Sequence, residues 1–124
     1  MRKLLIADDD PTLRNLVRTT LQSDEYEILE AGTGNEALAV ARAERPQLVL
    51  LDVQMPGLTG VAVCRELKAD PETRDTIVVM LTSRSQEADL AEGRAAGADE
   101  YLTKPFSPLR LLRLVESVLR LSAD

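Results

Sequence analysis

Leu48-Val49-Leu50-Leu51-Asp52 is an unbroken apolar run that ends on a carboxylate. Three further short apolar runs end the same way, on a residue able to handle a phosphoryl group. Leu4-Leu5-Ile6-Ala7 meets Asp8-Asp9-Asp10, Ile77-Val78-Val79-Met80-Leu81 meets Thr82, and Tyr101-Leu102-Thr103 meets Lys104. Apolar runs this short read as strands covered on both faces. Laid parallel in one sheet, they bring their endings to a single edge. Open α/β folds place their sites outside that carboxyl edge. Carboxylates, a hydroxyl and an amine gathered there suggest a metal ion and a phosphate.

Between the runs the pattern turns helical. Asp10-Pro11 reads as an N-cap followed by proline at the first helical position. Leu13, Leu16, Val17 and Leu21 then form an apolar stripe at helical spacing. A second strand is predicted over about Tyr26 to Ala31, then an alanine-rich helix over about Asn35 to Glu44, stopped before Pro46. Met55-Pro56-Gly57-Leu58-Thr59-Gly60 is a turn-rich loop. A third helix over about Val61 to Lys68 breaks at Asp70-Pro71, and a fourth over about Gln86 to Ala96 is closed by Gly97. Ser107-Pro108 caps a fifth that runs nearly to the end. Five βα units predict a doubly wound, flavodoxin-like (βα)5 parallel sheet. The favoured strand order is 2-1-3-4-5, with Asp8-Asp9 and Asp52 flanking its switch point.

The bulk composition narrows the function. A chain of 124 residues fits one domain with a real core, here residues 1–124. The net charge of −6 and the near absence of aromatic residues argue against direct nucleic-acid contact. Cys64 is the only cysteine, so no intramolecular disulfide forms and a reduced, cytoplasmic setting is the simplest reading. The three aspartates cut the first apolar run far short of the roughly 7–15 residues of a signal peptide. No run approaches the roughly 20 residues of a membrane span. Histidine is absent, which removes the usual general base, zinc ligand and phosphohistidine carrier from this chain.

Asp10 is accounted for as a helix cap, but a cap does not explain two further aspartates beside it. Packed carboxylates repel, so one is pushed toward protonation unless a cation sits among them. Mg²⁺ suits Asp8 and Asp9, because it takes hard oxygen ligands and keeps several waters. Asp52 could cap the following turn. Beside Asp9 and Mg²⁺ it becomes a candidate nucleophile, since carboxylates form acyl phosphates. Lys104 would be an ordinary surface lysine anywhere else; at this edge it can partner a phosphate or a carboxylate. Thr82 matters only if its hydroxyl points into the site.

The chain resembles the receiver domain of bacterial two-component response regulators over essentially its full length. The resemblance is carried by Leu-Leu-Ile-Ala-Asp8-Asp9-Asp10, Leu-Leu-Asp52-Val-Gln-Met-Pro56-Gly-Leu-Thr-Gly60, Val-Met-Leu-Thr82-Ser83 and Gly97-Ala-Asp-Glu-Tyr101-Leu-Thr-Lys104-Pro105-Phe106. It implies a phosphorylation-dependent signalling switch, not a turnover enzyme. Asp52 would be the phosphoacceptor. Asp9, Asp52 and the backbone carbonyl of Gln54 would hold Mg²⁺ directly, and Asp8 through water. Lys104 and Thr82 would engage the phosphoryl group, Tyr101 would be the switch aromatic, and the Lys104-Pro105 bond would be cis. The implied partner is a sensor histidine kinase or phosphotransfer protein. Gln54 and Arg84 sit where the family varies and tunes phosphoryl lifetime.

Other readings stay open at this level. Asp8-Asp9-Asp10-Pro11-Thr12 also resembles the start of haloacid-dehalogenase-type phosphatases, with Asp8 as nucleophile and Asp10 as general acid. The late acidic pair of that family has no counterpart in place, since Asp99-Glu100 falls just before the fifth strand. A flavin-binding module on the same fold lacks its phosphate loop and flanking aromatics. Leu111, Leu114, Val115, Val118 and Leu121, widened by Leu112 and Leu119, give the fifth helix either a broad buried face or a dimer or effector surface shared with the fourth helix and fifth strand. The insert Asp70-Pro71-Glu72-Thr73-Arg74-Asp75 resembles receivers that stand alone or precede nucleotide-cyclase domains. Thr103-Lys104-Pro105-Phe106-Ser107-Pro108 instead resembles receivers fused to winged-helix domains.

Overall fold

A computed structural model describes residues 2–83, 91 and 94–123, with backbone alone for 121–123. Five parallel strands form one sheet: β1 (Arg2–Ala7), β2 (Tyr26–Ala31), β3 (Leu48–Asp52), β4 (Ile77–Ser83) and β5 (Glu100–Lys104). Their order is β2-β1-β3-β4-β5, as the alternation of strand and helix predicts. Four helices are fully bounded: α1 (Pro11–Leu21), α2 (Gly34–Glu44), α3 (Gly60–Ala69) and α4 (Pro108–Ala123). Most of the fourth helix expected over Gln86 to Ala96 lies outside the described residues, as does Arg84; residues 94–96 are helical.

The apolar runs are continuous because both faces of the sheet are covered. Side chains alternate along a strand, and β1 sends Leu5 and Ala7 to one cluster and Leu4 and Ile6 to the other. The first cluster takes Ala37, Leu38 and Ala41 from α2 and Val61, Val63, Cys64 and Leu67 from α3. The second takes Val17 and Leu21 from α1 and Leu111, Val115 and Leu119 from α4. Leu5, Leu48, Val49, Leu51, Val78 and Leu81 are all 0% exposed, so β1, β3 and β4 form a dry spine. At about 25 cal/mol per Å² of apolar surface removed from water, that spine is the main fixture of the site edge.

The caps follow the sequence. Asp10 accepts a hydrogen bond from the Thr12 amide at 2.9 Å, and Ser107 Oγ accepts one from the Arg110 amide at 3.1 Å. Strand ends reach further than the apolar runs indicate. β3 includes Asp52, β4 extends through Thr82 to Ser83, and β5 extends to Lys104. Pairing Thr82 with Thr103 and Ser83 with Lys104 holds polar residues in the ladder that hydrophobicity alone does not place there. The α4 stripe is largely absorbed by the protein's own core. Leu111, Val115 and Leu119 are buried, and Leu112, Leu114 and Val118 pack half-buried on the same cluster. The Asp70–Asp75 insert is pinned by two buried threonines. Thr73 donates to the Leu67 carbonyl at 2.8 Å, and Thr76 donates to the Pro46 carbonyl at 3.1 Å.

Candidate functional site

The carboxyl edge of the sheet brings Asp8, Asp9, Asp52, Thr82 and Lys104 together. Each aspartate offers a carboxylate oxygen, and the three atoms lie within 4.8 Å of one another. Backbone ladders set this spacing. The Asp8 amide donates to the Ala31 carbonyl at 3.1 Å, and the Val53 amide donates to the Leu81 carbonyl at 3.1 Å, so both acidic positions stay in register with neighbouring strands.

The three carboxylates are not equivalent. Asp8 is 1% exposed, and its side chain accepts from the Asp10 amide at 2.9 Å and from Lys104 Nζ at 2.7 Å. Asp9 is exposed, at the mouth of the cluster. Asp52 is buried; its carboxylate accepts from the Gln54 amide at 3.3 Å and lies 3.4 Å from Lys104 Nζ. Burial first, and then the charge of Asp8, push the Asp52 carboxyl up to about 6; Lys104 and the Gln54 amide pull the other way. Burial by itself disfavours the charged form of Lys104. Its hydrogen bond to Asp8 and the charges of Asp52 and Asp8 outweigh that, and its pKa is raised.

Thr82 is 1% exposed, and its hydroxyl donates to the Ser83 carbonyl at 3.2 Å. Tyr101 is half-buried against the α2–α3 side of the core, with the Arg94 guanidinium 5.4 Å from its ring centroid. The Lys104-Pro105 bond is cis.

The loop after β3 is clamped from outside. The Gly34 amide donates to the Pro56 carbonyl at 3.2 Å, and Asn35 Oδ1 accepts from the Leu58 amide at 3.2 Å. A side chain at Gly34 would collide with the Leu58 carbonyl, and Gly57 takes a φ of +79° beside Asn35. This matters because the same loop carries Gln54. Sequence reading missed this clamp, and it missed Arg14, whose Nη1 donates to the Asp8 carbonyl at 2.6 Å. An arginine and an asparagine on helices carry no local signal of such long-range contacts.

The donor set fits a hard divalent cation. Three carboxylates within reach of one point, one exposed and one held at an elevated pKa by burial and a like charge, form a site that a cation relieves.

The response regulator receiver domain family matches residues 4–116 of the chain. The transcriptional regulatory protein ResD of Bacillus subtilis (strain 168) is 40% identical over 118 residues, covering 95% of this chain and 48% of ResD. Protein PilH of Pseudomonas aeruginosa is 39% identical over 119 residues, covering 96% of this chain and 98% of PilH. Among solved structures, the chemotaxis response regulator CheY4 of Vibrio cholerae superposes with a TM-score of 0.88 at 36% identity, covering 95% of this chain and 98% of CheY4. The chain spans about half the length of ResD and of several other curated relatives. Sequence, strand order and an acidic edge thus agree, and the chain belongs to the response regulator receiver domain family, the signalling switches of two-component systems.

Proposed function

We propose that Asp52 accepts a phosphoryl group from a phosphohistidine of a sensor kinase or phosphotransfer protein. The observation that carries this reading is the placement of Asp52. Its carboxylate sits at the end of a buried strand, within reach of Lys104 and inside the acidic cluster. An Asp52 carboxylate oxygen attacks phosphorus in line as the phosphorus–nitrogen bond breaks and the electron pair leaves on the imidazole. Asp9, Asp52 and the Gln54 carbonyl would hold Mg²⁺, with Asp8 acting through water. When bound, the ion neutralises charge on the attacking and transferring oxygens.

The side chains of this protein do the rest. Lys104 already spans two carboxylates, so it can shift its ammonium toward new phosphoryl oxygens without a new cation entering. Thr82 turns its hydroxyl toward the same oxygens, and Tyr101 follows into the space that opens. The phosphoryl group biases two packings of β4 and β5 by its differential contacts alone. Hydrolysis later breaks the acyl-phosphate linkage as water oxygen adds to phosphorus, returning the Asp52 carboxylate and inorganic phosphate. The surface proposed for a homodimer or an effector combines β5 and α4 with the helix expected over Gln86 to Ala96. Its setting is the cytoplasm, in keeping with one buried, unpaired thiol; no helix among the described residues is long and apolar enough to cross a membrane.

The phosphatase-like alternative makes Asp8 the nucleophile and Asp10 the acid. Asp8 is instead sequestered by Lys104, and Asp10 is committed to the α1 cap. Incubation with acetyl phosphate and Mg²⁺, followed by mass spectrometric mapping, separates the two. Label on Asp52 that requires Mg²⁺ and vanishes in Asp52→Asn is expected. Label on Asp8 would transfer the nucleophile to that residue.

A further inference from the structure

We propose that Arg14 is a positioning residue that fixes the peptide between Asp8 and Asp9 and thereby sets the affinity of the acidic cluster for a divalent cation. The proposal rests on the reading of that cluster as a Mg²⁺ site. Arg14 is on α1, yet its guanidinium reaches two other elements. Nη1 donates to the Asp8 carbonyl at 2.6 Å, and Nε donates to Glu30 Oε1, on β2, at 3.1 Å. Glu30 is held in turn by Arg18, whose Nε donates to Oε2 at 2.8 Å. A charged donor at this distance makes a short, strong bond to a carbonyl.

The geometry shows why this peptide needs fixing. The Asp8 side chain is anchored by Lys104 and the Asp10 amide, and its own amide by Ala31. The exposed Asp9 side chain has no hydrogen-bond or ion-pair partner among the described residues. Its direction therefore depends on the backbone, and among the described residues the one tether on the Asp8–Asp9 peptide plane is Arg14. Groups that orient ligands without touching the metal typically change affinity about 10–100-fold when removed.

A second effect runs the other way. A cation near the cluster repels Mg²⁺, so removing Arg14 would tighten binding if its field dominated. The Arg14 side chain is 21% exposed, so water weakens that field. We take positioning as the larger effect, and the sign of the change tells the two apart.

The test is calorimetric titration of the unphosphorylated protein with Mg²⁺ alone at about 0.15 M salt, where exposed charges are screened beyond about 8 Å. It compares wild type, Arg14→Gln, Arg14→Lys and Asp9→Asn, with melting in EDTA as a check on the fold. Wild type is expected to bind and Asp9→Asn to lose most of its affinity. Arg14→Gln should bind about tenfold more weakly and Arg14→Lys about threefold, since lysine keeps the charge but cannot grip Asp8 and Glu30 at once. Unchanged or tighter binding by Arg14→Gln overturns the proposal, even if its melting temperature falls. Should Arg14→Gln fail to fold, Arg14→Lys decides, and binding equal to wild type overturns it. Equal Mg²⁺ binding by wild type and Asp9→Asn would overturn both this proposal and the metal site on which it rests.

Discussion

Lys104 Nζ lies 2.7 Å from Asp8 Oδ2, a carboxylate that is 1% exposed, and this one ion pair joins the first and last strands of the chain. The same ammonium is 3.4 Å from Asp52 Oδ2. It is therefore the counterion of both buried carboxylates as well as the group proposed to receive a phosphoryl oxygen. Removing one partner of a buried pair leaves an uncompensated charge behind.

Lys104→Met should accordingly destabilise the protein in EDTA at pH 8. A fully buried pair loses about 3–5 kcal/mol in this way; water reaches Lys104, so a loss of roughly 2–3 kcal/mol is expected. Saturating Mg²⁺ should recover part of it, because binding to the folded state alone raises stability by mass action. Urea unfolding with and without Mg²⁺ measures both. A variant as stable as wild type in EDTA would show that Lys104 is not the compensating charge.

The elevated Asp52 carboxyl predicts a pH-dependent stability of defined sign. Its folded value of about 6 stands above the ordinary 3.8, so the folded state favours the protonated form. The resulting penalty is absent below about pH 4 and complete above about pH 6, where this shift corresponds to roughly 3 kcal/mol. In EDTA, Asp52→Asn should melt above wild type at pH 8, and the two should converge toward pH 4. Mg²⁺ should erase the difference at pH 8. Parallel melting curves at both pH values would contradict this.

Gly60 opens α3 directly beneath Asp52. A Cβ there would overlap the Asp52 carbonyl oxygen and lie 2.8 Å from its carbonyl carbon and 2.9 Å from Val53 Cα. These are backbone atoms in a paired strand and cannot swing aside. Gly60→Ala is expected to lose about 1–3 kcal/mol. It should also slow phosphorylation by acetyl phosphate by about a hundredfold, the scale of a 1 Å misplacement. Gly32→Ala is the control: its Cβ would meet only the Arg14 side chain among the described residues, with Nη1 at 3.4 Å and Cζ at 4.0 Å, ordinary contacts that leave the Arg14 tether in place, so near-wild-type behaviour is expected. Equal phosphorylation rates in the two variants would break the link between Gly60 and Asp52.

Cys64 is 0% exposed, and burial pushes its thiol up to about 11. The thiolate is the reactive form, so the native protein should resist a thiol reagent at pH 8 and react with one equivalent in denaturant. Rapid native labelling would mean that α3 opens locally far more easily than its packing implies.

Much of the fold could be read from the chain because it is written in local pattern. Continuous apolar runs reported strands covered on both faces, and Asp10-Pro11 and Ser107-Pro108 marked helix starts that the structure keeps. Strand order followed because short right-handed βα units leave few topologies open. Asp8, Asp9, Asp52, Thr82 and Lys104 were legible for the same reason, since each directly ends or follows an apolar run. The ends of β4 and β5 were less legible: Thr82, Ser83 and Lys104 are polar, and cross-strand pairing keeps them extended.

Periodicity, and the residues that interrupt it, were enough to give the strand–helix alternation, the sheet order and the identity of the edge residues. The wiring of that edge came from packing. Lys104 sits closer to Asp8 than to Asp52, Asn35 pins the loop that carries Gln54, and Arg14 holds the Asp8 carbonyl. The physical reason is separation along the chain. Lys104 and Asp8 are 96 residues apart and Asn35 and Leu58 are 23 apart, so packing of the completed sheet selects these partners. Arg14 is only six residues from Asp8, but it reaches the Asp8 carbonyl because Glu30 on the neighbouring strand anchors its other side.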